Sequence, residues 1–239
     1  MVHCRICGNC IKKYQKINKI NLYSCDNCLL KFYLPMPTKE ELRKRYSDKE
    51  LTKRFRGNIE NAVLSNHRIN KREFSIYFDF LSEAREKHKG GRVLDVGCYS
   101  GLFLTFFDKE GFICTGTDVN SGLVNWAKKT FGLDYRCGEL ASFNFEKNYF
   151  NIITCNQVLE HVSDPLALFS EMLDLLVVGG YLECSVPDST CNCKMVYPEH
   201  LFHFYEKTVR EMLSSFTNVE FVQSDISRGN MLFLVRKIR

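Results

Sequence analysis

Val93-Leu94-Asp95-Val96-Gly97-Cys98-Tyr99-Ser100-Gly101 runs from a short apolar strand through an acid into a tight glycine turn, and Leu102-Phe103-Leu104-Thr105-Phe106-Phe107 continues it as a helix. A nucleoside-bearing cofactor needs this order. Glycines let a ligand lie against bare backbone, and a helix N-terminus adds a favourable dipole. The spacing argues against a dinucleotide. That fingerprint, G-x-G-x-x-G, wants a middle glycine where pyrophosphate approaches the backbone, and here Tyr99 stands there in a D-x-G-x-x-x-G run.

The D-x-G-x-x-x-G run resembles motif I of the class I S-adenosylmethionine-dependent methyltransferases, whose ligand carries a charged amino-acid tail and no phosphate. The resemblance continues in register over residues 90 to 239. Phe112-Ile113-Cys114-Thr115-Gly116-Thr117-Asp118-Val119 reads as a second strand, ending in an acid 21 residues after Gly97, where an acid holds ribose hydroxyls. Tyr135-Arg136-Cys137-Gly138-Glu139 reads as the end of a third strand with Glu139 at the adenine edge. Phe150 to Asn156 reads as a fourth, followed by Gln157-Val158-Leu159-Glu160-His161-Val162-Ser163-Asp164-Pro165, similar to the turn of small-molecule members. Gly179 to Pro187 fits a fifth. The resemblance implies an α/β, Rossmann-like, seven-stranded methyltransferase sheet with S-adenosylmethionine as cofactor. Its expected contacts are Asp95, Gly97, Cys98, Gly101, Asp118, Val119, Glu139 and Asn156. Singly, each is a plain turn or strand end. In register over five βα units they are not independent. Asn151 departs from the pattern, standing where the family has Asp.

At 239 residues the chain accommodates one α/β domain of about 150 residues and something small beside it. It has no apolar run of about 20 residues, so no membrane span is expected, and Met1-Val2-His3-Cys4-Arg5 does not read as a signal peptide. Twelve cysteines without a secretory signal point to a reducing cytoplasm and to metal or core thiols. Charge is unevenly divided. Residues 1 to 90 hold 20 Lys+Arg against 10 Asp+Glu, and residues 91 to 239 hold 13 against 18. A basic front end beside an acidic catalytic domain suggests an anionic small-molecule acceptor such as a sugar or nucleotide-sugar, with RNA as the alternative partner.

Cys4-x-x-Cys7-Gly8 and Cys25-x-x-Cys28 are separated by 17 residues, inside the range of a structural four-thiolate zinc site. A segment this small cannot bury enough apolar surface to fold without such a staple. Cys10 forms an overlapping pair with Cys7 and stays open as an alternative ligand. With Leu34-Pro35-Met36-Pro37-Thr38-Lys39-Glu40-Glu41-Leu42 and Tyr46, the segment resembles the zinc-ribbon head of bacterial methyltransferases in sugar and surface-polysaccharide pathways. The expected division is therefore a zinc ribbon over 1–34, a helical linker or lid over 35–89 and the methyltransferase domain over 90–239. Thr38 and Glu41 form a candidate capping box, and Phe74, Tyr77, Phe78 and Leu81 recur at helical spacing.

Methyl transfer from a sulfonium needs an aligned acceptor and, for a hydroxyl, removal of a proton. Candidate bases belong at the carboxyl ends of strands four and five. Glu160 and His161 follow the fourth strand. Glu199, His200 and His203 follow the fifth, in a segment resembling a family turn whose His200 position faces the substrate. Histidine suits a base because its pKa lies near working pH. His200 is the first candidate, His161 the second or a helix cap and loop brace, and His203 a structural residue. The expected activity is methyl transfer to a hydroxyl, less readily a carbon. An RNA methyltransferase and a non-catalytic zinc-ribbon adaptor are the rival readings. Cys191 and Cys193 sit on a loop with no assigned role.

Overall fold

The computed structural model describes residues 2–17, 20–47, 74–190 and 200–239. The expected positions Cys191, Cys193 and Glu199 lie outside them. Three short strands open the chain, β1 (Lys12–Ile17), β2 (Ile20–Ser24) and β3 (Lys31–Leu34), followed by helix α1 (Lys39–Arg45). The capping box forms at α1: Thr38 Oγ1 accepts from Glu41 N at 3.2 Å, and Glu41 Oε2 accepts from Thr38 N at 2.7 Å. Residues 74–80 are helical and lead into α2 (Ser82–Lys87). Then come β4 (Arg92–Val96), α3 (Leu104–Asp108), β5 (Ile113–Asp118), α4 (Ser121–Phe131), β6 (Asp134–Cys137), β7 (Phe150–Asn156), α5 (Pro165–Leu175) and β8 (Leu176–Pro187). The chain ends with β9 (Phe202–His203), α6 (Glu206–Ser214), β10 (Val219–Ser227) and β11 (Asn230–Lys237).

The main sheet has seven strands in the order β10-β11-β8-β7-β4-β5-β6. Its five strands from β8 to β6 are parallel, and β11 and β10 close the other edge antiparallel. This is the Rossmann-like methyltransferase sheet expected from the sequence. Parallel strands are covered on both faces and read as apolar runs. One face buries Val93, Ile152 and Tyr181 under Tyr77, Leu81, Phe103 and Phe107. The aromatic residues at helical spacing in 74–81 are therefore part of the core. The other face buries Leu94, Ile153 and Leu182 under Phe169 and Met172 of α5 and Met212 of α6. Asn151, the departure from the family pattern, stitches a strand start: its Oδ1 accepts from Arg92 N at 2.8 Å.

Two differences from the expected boundaries have local causes. β8 begins at Leu176, three residues before Gly179, because Leu176 already pairs with Phe150. The register then shifts before Ile152 meets Tyr181, and Gly179, at φ +83°, supplies the left-handed residue in the irregular stretch. The second difference is β9, a two-residue strand that exists because β3 pairs with it.

That pairing makes a second sheet, β1-β2-β3-β9, from both ends of the chain. Phe32 of β3 stacks on Phe202 of β9 with ring centroids 5.9 Å apart, and both are buried. Cys4, Cys25, Cys28, Leu30 and Phe32 belong to the same apolar cluster as Phe169 and Met212. Thr208 of α6 fastens the contact, since its hydroxyl donates to the Cys28 carbonyl at 2.7 Å and accepts from Tyr205 N at 3.2 Å. Removing a buried hydroxyl and leaving its partners unpaired costs about 1–3 kcal/mol. Thr208→Val is expected to lower the unfolding free energy of the chain by that amount, read as a fall in the denaturant midpoint at unchanged slope; an unchanged midpoint would show that this contact carries no weight.

Candidate active site

The strand-to-helix turn after β4 is held by β5. Gly97 N and Cys98 N donate to the Thr117 carbonyl at 2.8 and 2.9 Å, and Gly101 N donates to Cys98 O at 2.8 Å. Gly97 and Gly101 both have left-handed φ, +74° and +72°. Space also demands glycine at both, because a Cβ would overlap Val158 at Gly97 and the Tyr135 ring at Gly101. The turn is thus tightened against the protein's own side chains. Cys98 is buried under it, and burial with the nearby carboxylates of Asp118 and Asp95 pushes its thiol well up.

Asp118, at the end of β5, takes two amides. Its Oδ2 accepts from Tyr99 N at 3.0 Å and its Oδ1 from Asn120 N at 2.8 Å. Burial pushes its pKa up, while those bonds pull the other way. Val119 beside it is 42% exposed, and Glu139 follows β6. The glycine turn carries no Lys or Arg between Val93 and Asp108, which fits a nucleoside without phosphates. Asp118, Val119, Glu139 and the turn Gly97–Gly101 could hold such a cofactor.

Asp95 and Asn156 face inward. Asp95 is buried, accepts from Thr154 Oγ1 at 2.8 Å, and is pushed by burial up to about 7. Asn156 donates from Nδ2 to Glu183 Oε2 at 2.9 Å and accepts from Ser185 Oγ at 2.8 Å. Glu183 is wholly buried and is pushed by burial up to about 8. Gln157, at φ +57°, extends the chain by donating to Ser185 Oγ at 3.2 Å. Sequence reading missed Thr154, Glu183 and Ser185. The one available signal was polar residues at alternate positions in strands otherwise apolar.

The second group of candidates converges from two loops. Glu160 and His161 follow β7, and the Glu160 carbonyl accepts from Leu201 N at 2.7 Å. That backbone bond brings His200 beside His161, with ring centroids 5.0 Å apart and planes at 70°. Glu160 is buried, and its Oε1 lies 3.6 Å from His161 Nε2. His161 Nδ1 is 2.9 Å from the hydroxyl of Tyr46. His161 does not cap α5; Asp164 does, accepting from Ala167 N at 3.0 Å. His203 lies edge-on to Tyr33 of β3 at 5.5 Å, and burial pushes its pKa down to about 4.

In that module the four sulfurs of Cys4, Cys7, Cys25 and Cys28 lie within 4.8 Å of one another. The two turns match in their bonding. Cys4 N donates to Asn9 O and Gly8 N to Cys4 O; Cys25 N donates to Leu30 O and Leu29 N to Cys25 O. Gly8 and Leu29 have matching φ of +70° and +67°. Cys4 Sγ is 3.4 Å from Cys28 Sγ, a contact that pushes Cys4 down to about 5 and Cys28 up. Sulfurs about 2.3 Å from a common centre, tetrahedrally arranged, are spaced this closely, so the set fits a zinc ion. Cys10 is exposed and outside the cluster.

A family model described as a methyltransferase domain matches residues 68–224. The chain belongs to that family. Among curated relatives, the chain is similar to a ubiquinone biosynthesis O-methyltransferase of Coxiella burnetii, 36% identical over 99 residues, covering 39% of this chain and 42% of that one. A protein of the same name from Xanthomonas campestris is 35% identical over 121 residues, covering 48% and 50%. The chain spans about half the length of these relatives or less. Among solved structures, the [4+2]-cyclase SpnF aligns with a TM-score of 0.58 at 18% identity, covering 67% of this chain and 79% of that one. This likeness is one of fold. Among the described residues no helix is long and apolar enough to cross a membrane.

Proposed function

We propose that the protein is an S-adenosylmethionine-dependent O-methyltransferase acting on a small molecule. The observation that carries this is the meeting of Glu160, His161 and His200 at the same sheet edge as the glycine turn and Asp118. The relatives named O-methyltransferases support oxygen as the accepting atom. The cofactor, when bound, supplies a methyl group already activated on a sulfonium, so the chain's own residues have to orient the acceptor and take its proton. His200 is the residue for that proton, backed by His161 and the buried Glu160. An anionic sugar or nucleotide-sugar acceptor is supported by the basic segment 1–90 and by the resemblance of the cysteine module to zinc-ribbon heads. The module itself takes one structural zinc on Cys4, Cys7, Cys25 and Cys28.

Three experiments test this reading. Asp118→Ala is expected to weaken S-adenosylmethionine binding by roughly 1.5–3 kcal/mol, the range for charge-assisted hydrogen bonds, in calorimetry. Undiminished affinity would remove Asp118 from the cofactor site. His200→Ala is expected to keep the cofactor and to lower turnover about 10²–10⁴-fold, the usual contribution of a positioned base. Elemental analysis of protein purified without chelators is expected to find about one zinc per chain, lost in Cys25→Ser together with thermal stability. Metal-free parent protein of equal stability would contradict the zinc assignment.

A further inference from the structure

The segment after the cysteine module crosses the ends of three strands within a few residues. Arg43 of α1 pairs with Glu139, after β6, at 3.0 Å. The carbonyl of Tyr46 accepts from Asn120 Nδ2, after β5, at 2.8 Å. The hydroxyl of Tyr46 meets His161 Nδ1, after β7, at 2.9 Å, with the two rings edge to face at 5.7 Å. Tyr46 thus spans from the end of β5 to the loop after β7.

We propose that Tyr46 is a positioning residue of the acid–base centre: its hydroxyl donates to His161 Nδ1 and so holds that ring neutral, with its single proton on Nε2 facing Glu160. The proposal rests on reading the site as one of methyl transfer to a hydroxyl. An ionised Glu160, its Oε1 3.6 Å from Nε2, favours a proton on that nitrogen, because a bare lone pair there would face negative charge. The remaining question is the state of Nδ1. A phenol is neutral near pH 7 and has a proton to give. Donated to Nδ1, it occupies the lone pair that a second ring proton would need.

The consequence falls on His200. A cationic His161 with its ring 5.0 Å away would resist a second positive charge on His200. A neutral His161 leaves the charge of Glu160 free to favour the imidazolium that forms when His200 takes the acceptor's proton. That proton leaves from His200 to water as product departs, and His161 neither gains nor loses one. Among the described residues, the titratable groups facing this centre are Tyr46 from the segment after α1, Glu160 and His161 from the loop after β7, and His200 from the segment before β9. His203 faces Tyr33, with Lys31 nearby.

The test is histidine nitrogen NMR on the full chain without cofactor, with His161 assigned from its loss in His161→Gln. In the parent protein His161 is expected as the neutral Nε2–H form. In Tyr46→Phe it is expected to gain the Nδ1 proton for part or all of the population, and His200 to titrate at lower pH than in the parent. A doubly protonated His161 in the parent overturns the proposal. The same His161 form in parent and Tyr46→Phe also overturns it. Calorimetry with S-adenosylmethionine on both proteins separates the two readings: absence of binding to the parent sinks the methyltransferase assignment, whereas the nitrogen shifts alone decide the role of Tyr46.

Discussion

The carbonyl of Glu160 accepts amides from both Leu201 and Phe202, and the rest of the site depends on that dock. It seats His200 against His161 and presents Phe202 and His203 for pairing with β3. A two-residue strand is too short to persist alone. It persists because Phe202 is buried against Phe32 on the ribbon side and Phe204 on the other, each such ring contributing roughly 1.5–3 kcal/mol. The cysteine module and the His161–His200 pair therefore share one mechanical support.

Beneath the site runs a row of buried polar groups. Asp95, Thr154 and Glu183 occupy paired positions on β4, β7 and β8, so they point to the same face of the sheet. Ionised, two carboxylates this deep would carry a desolvation cost that only strong partners offset. Each is held by a good hydrogen bond, from Thr154 to Asp95 and from Asn156 to Glu183, and burial raises both pKa values. The row continues through Ser185 to Gln157. It stiffens the strand ends from which the loops project, which suits a site whose groups must be held in place.

Residues 39–46 bridge the loops that follow β5, β6 and β7. The glycine turn and Asp118 lie on one side, and Glu160, His161 and His200 on the other. Lys39 and Arg43 neutralise Glu139 from above, an exposed interaction of small individual worth. Tyr46 adds bonds to Asn120 and His161, and the three contacts together fix a segment that α1 alone, with seven residues, could not hold.

Local pattern was legible in the sequence. β7 spans Phe150–Asn156 as read, the glycine turn sits where D-x-G-x-x-x-G put it, and Thr38 with Glu41 caps α1, because periodicity, left-handed glycines and side-chain caps are properties of a few adjacent residues. The two Cys-x-x-Cys turns belong to the same class, each closed by its own backbone bonds. Partnerships across more than a hundred residues were not legible. That Tyr46 meets His161, that β3 pairs with β9, and that Thr208 bonds to Cys28 depend on strand order and on which faces are left to be covered. Tertiary packing decided them, because a hydroxyl, a short apolar run or a threonine carries no local mark of the distant group it will touch.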